Sequence, residues 1–390
     1  MNFDTIIDRR NTHSSKWDRM EQVYGVPADT GLSMWVADMD FQAPPVVLDK
    51  LRSMVEHGFF GYATYQADYT AAIQWWMQER HGWAVDPSWI FTTTGLVNAV
   101  GMCLDTYTAP GDGIVLFTPV YHAFARAIRA AGREVVECPL TNNDGRYEMD
   151  FAAYDAQMTG AEKMLILCSP HNPGGRVWTR EELQGVIDFA KRHDLLIISD
   201  EVHHDLLYPG HTHLPLPTIN RSAIDRIIML TAGSKTFNIA GLHTGCVTIE
   251  DPDLRARFAT RVREISLSDN SVGLAATAAA YSPEGAAWVD ELMVYLEGNR
   301  QVFDAGIAEI PGVKSMPMES TYLSWVDFSG TGMEPAEFIK RVEQSAQIAI
   351  NHGSTFGSGG ETFLRFNIGT QRSRVEDACA RLKSAFADLQ

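Results

Sequence analysis

Two short apolar runs on either side of an amphipathic helical segment constrain the fold of this chain most strongly. Residues 164–169 (MLILCS) and 195–199 (LLIIS) are almost entirely apolar, which is typical of strands covered on both faces. Between them, Thr179 and Glu182 have the spacing of a capping box, and apolar residues follow at helical intervals. The segment is therefore predicted to be a strand–loop–helix–strand unit of a mostly parallel sheet.

Similar strands are predicted at residues 114–117 and 227–231, so the central part of the chain is expected to be an α/β domain with its sheet between helices. After about Tyr281 the pattern changes to that of a smaller α+β domain. The elements predicted there are a long helix at 286–310, a strand at 322–326, a short helix at 335–345, a strand at 362–368 and a final helix. The predicted domains are residues 1–48 (N-terminal arm and part of the small domain), 49–288 (large domain) and 289–390 (small domain).

Composition restricts the class of protein. A chain of 390 residues with 45% apolar and 21% charged residues is expected to form two globular domains. Its net charge of −17 disfavours nucleic-acid binding, and no apolar run approaches the roughly 20 residues that a membrane span needs. The five cysteines are scattered singly, which predicts neither a disulfide framework nor a zinc site and favours the cytoplasm; no metal is predicted.

Unusual polar residues follow the predicted strands. They are Asn172 in SPHNPGG, Asp200 in ISDEVHH, and Ser234 and Lys235 in TAGSKTFN, while residues 92–98 (TTTGLVN) open a predicted helix. In an open α/β sheet, ligands bind beyond the carboxyl ends of the strands. Taken singly, each loop also has a structural explanation as a turn, a helix cap or a solvated lysine.

Together and in this order, the four loops resemble those of fold-type I pyridoxal-5′-phosphate (PLP) enzymes of the aminotransferase class I/II superfamily, over nearly the whole chain. The resemblance implies that Lys235 forms the Schiff base with PLP and then moves the substrate Cα proton. It implies that Asp200 holds the proton of the pyridine nitrogen, and that Asn172 hydrogen-bonds the 3-oxygen and also contacts the substrate.

The resemblance also assigns the phosphate site. The backbone N–H groups of Gly95, Leu96 and Val97 at a helix start would bind the phosphate, with the hydroxyl of Ser234. Tyr65 in GYATY matches a tyrosine that reaches the phosphate from the neighbouring subunit, which implies a homodimer with shared sites.

Four further residues are assigned to the ring and the substrate. Tyr121 in PVYHAF matches the aromatic that stacks on the cofactor ring, and Arg365 in FLRFNIG matches the arginine that binds the α-carboxylate of a small amino-acid substrate. Trp35 and Ala37 are predicted to line the substrate end, although packing at a strand edge explains them equally well.

Three positions depart from the aminotransferase pattern. His243 stands where an arginine usually binds the phosphate, His203 stands where a tyrosine usually reaches the 3-oxygen, and Ala232 stands where many members have a hydroxyl. His203 is retained as a predicted cofactor contact. With a neutral His243, the phosphate would depend more on Tyr65, Ser234 and the helix start.

Five segments resemble one branch of this superfamily, the cystathionine β-lyases (C–S lyases) of the MalY/PatB type. These segments are IIDRRNTHSSKWD, MWVADMDF, LCSPHNPGGRVW, ISDEVHHDLLYPGHTHLP and SKTFNIAGL. This resemblance implies α,β-elimination of L-cystathionine or related L-cysteine S-conjugates to a thiol, pyruvate and ammonia. An aminotransferase, which uses the same residues, is the main alternative. A non-catalytic PLP-binding regulatory protein is a weaker one, because catalytic residues are present and a basic recognition helix is not apparent.

Overall fold

The computed structural model describes residues 2–62 and 64–389. The strands in chain order are β1 (Leu32–Ser33), β2 (Ile90–Thr93), β3 (Gly113–Leu116), β4 (Glu134–Glu137), β5 (Thr141–Asn143), β6 (Arg146–Glu148), β7 (Glu162–Cys168), β8 (Leu196–Asp200), β9 (Ile227–Thr231), β10 (Gly245–Thr248), β11 (Lys314–Ser315), β12 (Leu323–Asp327), β13 (Ile348–Ala349), β14 (Asn351–His352) and β15 (Phe363–Asn367). The α-helices are α1 (Ser15–Asp18), α2 (Met20–Tyr24), α3 (Pro45–His57), α4 (Gln66–His81), α5 (Leu96–Tyr107), α6 (His122–Ala130), α7 (Phe151–Gln157), α8 (Arg180–Arg192), α9 (Gly233–Thr236), α10 (Pro252–Glu264), α11 (Ser271–Ala280), α12 (Pro283–Ala308), α13 (Pro335–Lys340) and α14 (Arg372–Ala385).

The larger sheet has seven strands in the order β2–β10–β9–β8–β7–β3–β4. β10 runs antiparallel to both of its neighbours, and the pairs from β9 to β4 are parallel. Alternate residues of its central strands enter two separate buried clusters: Leu165 and Ile197 lie in one, and Ile166 and Ile198 in the other. Both faces of the sheet are therefore covered, and the predicted α/β fold is confirmed.

The predicted strand–loop–helix–strand unit is β7, α8 and β8. Both bonds of the capping box at the start of α8 are formed, from Glu182 N to Thr179 Oγ1 at 3.2 Å and from Thr179 N to Glu182 Oε2 at 2.7 Å. β8 extends one residue beyond its predicted end, because Asp200 pairs with Cys168 of β7. The sheet itself therefore fixes the backbone of Asp200.

A second sheet of four antiparallel strands, in the order β11–β12–β15–β14, is built from the C-terminal part of the chain. The short helix predicted there is α13, which continues as one π-helical segment, Arg341–Ser345. The N-terminal segment joins this part of the molecule through β1, which pairs with β13 in parallel. The exact domain limits stay a prediction. Within the part of the chain that the structure covers, no helix combines the length and the apolar character that crossing a membrane requires.

Candidate active site

A cavity of about 320 Å³ lies where β7, β8 and β9 end at their carboxyl sides, the position at which open α/β sheets bind ligands. The residues that line it are Ala37, Thr94, Gly95, Leu96, Val97, Asn98, Tyr121, Phe124, Cys168, Asn172, Asp200, Val202, His203, Ser234, Lys235, Ala240, His243 and Thr244. All four loops that were singled out in the sequence thus reach one cavity.

Lys235 lies on α9, the four-residue helix that follows β9. Its Nζ donates a hydrogen bond to the backbone carbonyl of Ala37 at 2.7 Å. Burial, assisted by the positive charge of Arg365, lowers the pKa of Lys235 to about 8, although Asp38 and Asp200 act in the opposite direction. A substantial fraction of this amine is therefore neutral near pH 8, as a nucleophile or general base requires.

Asp200 is the last residue of β8, and its carboxylate accepts a hydrogen bond from Val202 N at 3.2 Å. Burial raises the pKa of Asp200 to about 7, even though this bond and the charge of Lys235 favour the ionised form. The protein's own donors and cations therefore do not offset the cost of burying this carboxylate as an anion. A cationic or proton-donating ligand atom in the cavity would stabilise it.

The start of α5 supplies backbone donors to the same cavity. Gly95 precedes this helix with a φ of +111°, a conformation that favours glycine, and Leu96 and Val97 form its first turn. The first N–H groups of a helix have no intrahelical acceptor and lie at the positive end of the helix dipole. Ser234 and the exposed His243 also line the cavity. This set of donors is suited to an anionic group such as a phosphate.

Arg365 lies on β15 and connects the smaller sheet to the cavity. Its Nη1 donates to Asn172 Oδ1 at 3.0 Å, and its Nη2 donates to the backbone carbonyl of Trp35 at 3.0 Å and to Asn351 Oδ1. The guanidinium is buried and lies 5.0 Å from the centre of the Phe356 ring. Burial lowers the pKa of Arg365 to about 10, so the side chain is still a cation at neutral pH.

Tyr121 and His203 also line the cavity. Tyr121 is half-buried at the start of α6, and burial raises the pKa of its phenol. His203 is buried, and burial, with the nearby charge of Lys235, lowers its pKa well below the usual value, so its ring is neutral. Its Nδ1 has no hydrogen-bond partner among the described residues, which leaves one polar atom available to a ligand.

Three residues that the sequence analysis compared with cofactor or substrate contacts of the family do not line this cavity with their side chains. Trp35 contributes its carbonyl to Arg365, while its indole donates to the backbone of Lys16. Tyr65 is half-buried at the start of α4, with Lys50 Nζ 5.4 Å from its ring centre, and is not among the described residues that line the cavity. Ala232 is the buried residue immediately before α9.

The sequence did not identify the side chains that fix the backbone around Ala37, whose carbonyl accepts the hydrogen bond from Lys235. Asn367 Nδ2 donates to both carbonyls that flank Ala37, at 2.6 Å each, and Tyr322 Oη donates to the Ala37 carbonyl at 3.0 Å. Asn238 Nδ2 donates to two carbonyls further along the same loop, at 2.8 and 2.7 Å. A signal was present, because both asparagines stand in segments that carried the resemblance, FLRFNIG and SKTFNIAGL.

Comparison with known proteins places the chain in a family. The profile of the family "Aminotransferase class I and II" matches residues 32–382. The chain is 38% identical to cystathionine beta-lyase PatB of Bacillus subtilis (strain 168), covering 99% of this chain and 100% of the relative. It is 32% identical to Protein MalY of Escherichia coli (strain K12), covering 98% of each.

Solved structures agree over the whole length. Cystalysin from Treponema denticola, described as containing a pyridoxal 5′-phosphate cofactor, matches with a TM-score of 0.95 and 34% identity, covering 100% of this chain and 99% of that one. A PLP-bound C-S lyase from Staphylococcus hominis, in complex with L-cycloserine, matches with a TM-score of 0.91 and 29% identity, with the same coverage. From the family profile and these full-length relatives, the chain belongs to the aminotransferase class I and II family.

Proposed function

We propose that this chain is a PLP-dependent carbon–sulfur β-lyase, which cleaves L-cystathionine or related L-cysteine S-conjugates by α,β-elimination. The observation that carries the proposal is the pair formed by Lys235, an amine of lowered pKa, and Asp200, a carboxyl of raised pKa, in one cavity. The lyase reaction, rather than another reaction of the family, is supported by full-length relatives named as cystathionine beta-lyases.

The residues of the cavity fit PLP. Lys235 offers the amine that the aldehyde needs, and the start of α5 with Ser234 offers donors for the phosphate. Asp200, destabilised as an anion by burial, would hold a proton on the pyridine nitrogen, while the free Nδ1 of His203 and the side chain of Asn172 would meet other polar atoms. When bound, PLP supplies a sink for the electrons of a carbanion at the substrate Cα.

Substrate orientation would depend on Arg365. Its guanidinium would hold the α-carboxylate by two parallel hydrogen bonds, and it is itself positioned by Asn172, the Trp35 carbonyl and Asn351. Tyr121 would stack against the cofactor ring, and Ala37 would border the substrate end, where Trp35 contributes only the backbone carbonyl that binds Arg365.

The proton transfer would belong to Lys235. In its neutral form, Nζ takes the proton from Cα, a contribution of about 10²–10⁴-fold in rate for a positioned general base. The Cβ–S bond then breaks, and the thiolate leaves with the bonding electron pair and takes up a proton. Water hydrolyses the remaining unsaturated amine to pyruvate and ammonia.

We also propose that the chain forms a homodimer in which Tyr65 contributes to the partner's phosphate site. The support is the surface that precedes Tyr65: the side chains of Phe59 and Phe60 are 80% and 63% exposed, and Tyr62 is fully exposed. Adjacent exposed aromatic residues are typical of a protein–protein interface.

The cytoplasmic location predicted from the sequence rests on the five free cysteines.

One assay tests the lyase. Purified protein with PLP is expected to release pyruvate and a thiol from L-cystathionine with no keto acid present, and the Lys235→Ala variant is expected to release neither. Turnover that needs an added keto acid as amino-group acceptor would instead identify an aminotransferase. Bound cofactor without turnover in either assay would favour a non-catalytic PLP-binding protein.

A further inference from the structure

A buried group of histidine and carboxylate side chains lies between the end of α4 and the loop after β8. His81 Nε2 is 2.9 Å from Asp205 Oδ1, and His204 Nε2 is 3.1 Å from Asp205 Oδ2. One ligand atom from each of the three residues lies within 4.8 Å of the others. The side chains of His204 and Asp205 are fully buried, and that of His81 is 4% exposed. None of the three lines the cavity that contains Lys235.

His204 is the residue that points to a ligand. Its Nδ1 has no hydrogen-bond partner among the residues that the structure describes, and its Nε2 faces Asp205 Oδ2 at 3.1 Å, although the ring is fully buried. A buried imidazole is ordinarily satisfied on at least one nitrogen. A cation bound between His204 and Asp205 would accept the lone pair of Nε2, the ring nitrogen that faces this carboxylate.

The carboxylate of Asp205 is fixed by donors on both oxygens. Trp76 Nε1 donates to Oδ1 at 2.9 Å, and Thr236 Oγ1 donates to Oδ2 at 2.8 Å. Hydrogen bonds of this kind orient the carboxylates that bind metals. The neighbouring carboxylate of Glu201 has other partners: it accepts hydrogen bonds from His213 at 2.6 Å and from Ser199 at 2.7 Å.

We propose that His81, His204 and Asp205 bind one divalent transition-metal ion of the Zn²⁺ class. Two imidazole nitrogens and one carboxylate oxygen are a ligand set that Zn²⁺ accepts, with water at the fourth position, whereas Mg²⁺ and Ca²⁺ prefer oxygen ligands only. Tetrahedral Zn²⁺ at about 2.1 Å from each ligand needs ligand atoms about 3.4 Å apart. The two imidazole nitrogens lie 2.9 and 3.1 Å from different oxygens of Asp205, and one ligand atom from each residue lies within 4.8 Å of the others. Binding one ion therefore requires the carboxylate to turn or an imidazole to move towards a shared position.

The ion would act on the stability of the fold rather than on the reaction. Asp205 holds Thr236, which follows Lys235 on α9, so an ion bound to Asp205 would fix this short helix relative to α4. A ligand that binds only the folded chain raises the melting temperature. The inference concerns a bound ion and does not depend on lyase activity.

The test uses tag-free holoenzyme, stripped with a chelator, incubated with ZnCl₂ and dialysed, with zinc measured by mass spectrometry. The expected result is stoichiometric zinc that raises the melting temperature, with affinity weakened in His204→Phe by at least the roughly 10–100-fold that loss of a group supporting a ligand costs. The matched control His211→Ala, at an exposed position seven residues further on, keeps the zinc. Wild-type protein without zinc, or a His204→Phe variant that binds it as well as the wild type, would overturn the proposal.

A second measurement does not depend on any variant. Zinc K-edge X-ray absorption of the loaded wild-type holoenzyme is expected to show a shell of nitrogen and oxygen with imidazole scattering. A sulfur shell would place the ion on one of the five cysteines and refute the assignment to His81, His204 and Asp205.

Discussion

At the scale of single residues, burial acts in opposite directions on the acid and the base of the candidate site. It raises the pKa of Asp200 to about 7 and lowers the pKa of Lys235 to about 8, because a low-dielectric surrounding disfavours the charged form of each group. The two values lie within about one unit of each other. Near neutral pH the fold therefore holds a carboxyl and an amine that both exchange protons readily.

Lys235 gives the first prediction. Only the neutral amine attacks an aldehyde, so the rate at which apoenzyme captures PLP should rise as the pH passes through about 8. Stopped-flow absorbance of the Schiff-base band measures this rate. Lys235→Ala should show no such band and no cofactor fixed to the chain by borohydride. A capture rate independent of pH, or a fixable cofactor in Lys235→Ala, would contradict the role of this lysine.

Asp200 gives the second prediction, which concerns stability. Its folded-state pKa of about 7 lies above the ordinary 3.8, so the native carboxyl keeps its proton where the unfolded chain has lost it. Its contribution to stability therefore becomes less favourable as pH rises between these two values, and remains so above about 7. An amide resembles the protonated carboxyl. The melting temperature of the Asp200→Asn apoprotein should therefore exceed that of the wild-type apoprotein by several degrees at about pH 8. The difference in melting temperature should be smaller at about pH 5.

Calorimetry on the two apoproteins measures the difference, and exposed Asp188→Asn serves as the control. The same Asp200→Asn change should lower lyase activity severely in the presence of PLP, since the amide has no charge to hold a proton on the ring nitrogen. A variant that is both destabilised at about pH 8 and fully active would contradict this account.

At the scale of elements, the candidate site is the meeting point of strand ends, and this part could be predicted from the sequence. Parallel strands end at one edge of a sheet, so apolar runs followed by Asn172, Asp200 and Lys235 were enough to bring these residues together. The loop around Ala37 could not be placed in this way. It is held by Asn238 and Asn367, which are about 200 and 330 residues away along the chain, and no local pattern reports such contacts.

Asn238 gives the third prediction. Its amide donates two hydrogen bonds to the loop that contains Ala37, whose carbonyl accepts from Lys235. Asn238→Ala removes these two bonds and a third, in which Asn238 Oδ1 accepts from Met39 N at 2.9 Å. At about 1 kcal/mol each, their loss should lower the melting temperature by several degrees and raise KM for L-cystathionine. Thermal unfolding and steady-state kinetics measure the two effects. Asn143→Ala, on exposed β5, should change neither; an unaltered melting temperature and KM in Asn238→Ala would show that the loop is held by other contacts.

At the scale of the whole molecule, the candidate site joins parts that are distant in the chain. Arg365 belongs to the four-stranded sheet, and its partner Asn172 follows β7 of the seven-stranded sheet, 193 residues earlier. The N-terminal segment completes the site by supplying the Trp35 carbonyl and Ala37. The relative position of the two sheets therefore determines whether Arg365 reaches a substrate, and a change at their contact would alter substrate binding without touching Lys235.

Tyr65 gives the last prediction, because its role depends on a second copy of the chain. If it serves the partner's site, a dimer of one Lys235→Ala subunit and one Tyr65→Ala subunit has one intact site, made of Lys235 from the second subunit and Tyr65 from the first. Unfolding and refolding an equal mixture of the two inactive variants should therefore restore about a quarter of wild-type activity, since half of the dimers are mixed and each has one working site of two. Pyruvate release measures the recovery, and each variant refolded alone is the control. If Tyr65 acted within its own subunit, both changes in the mixed dimer would leave every site defective, and no activity would return.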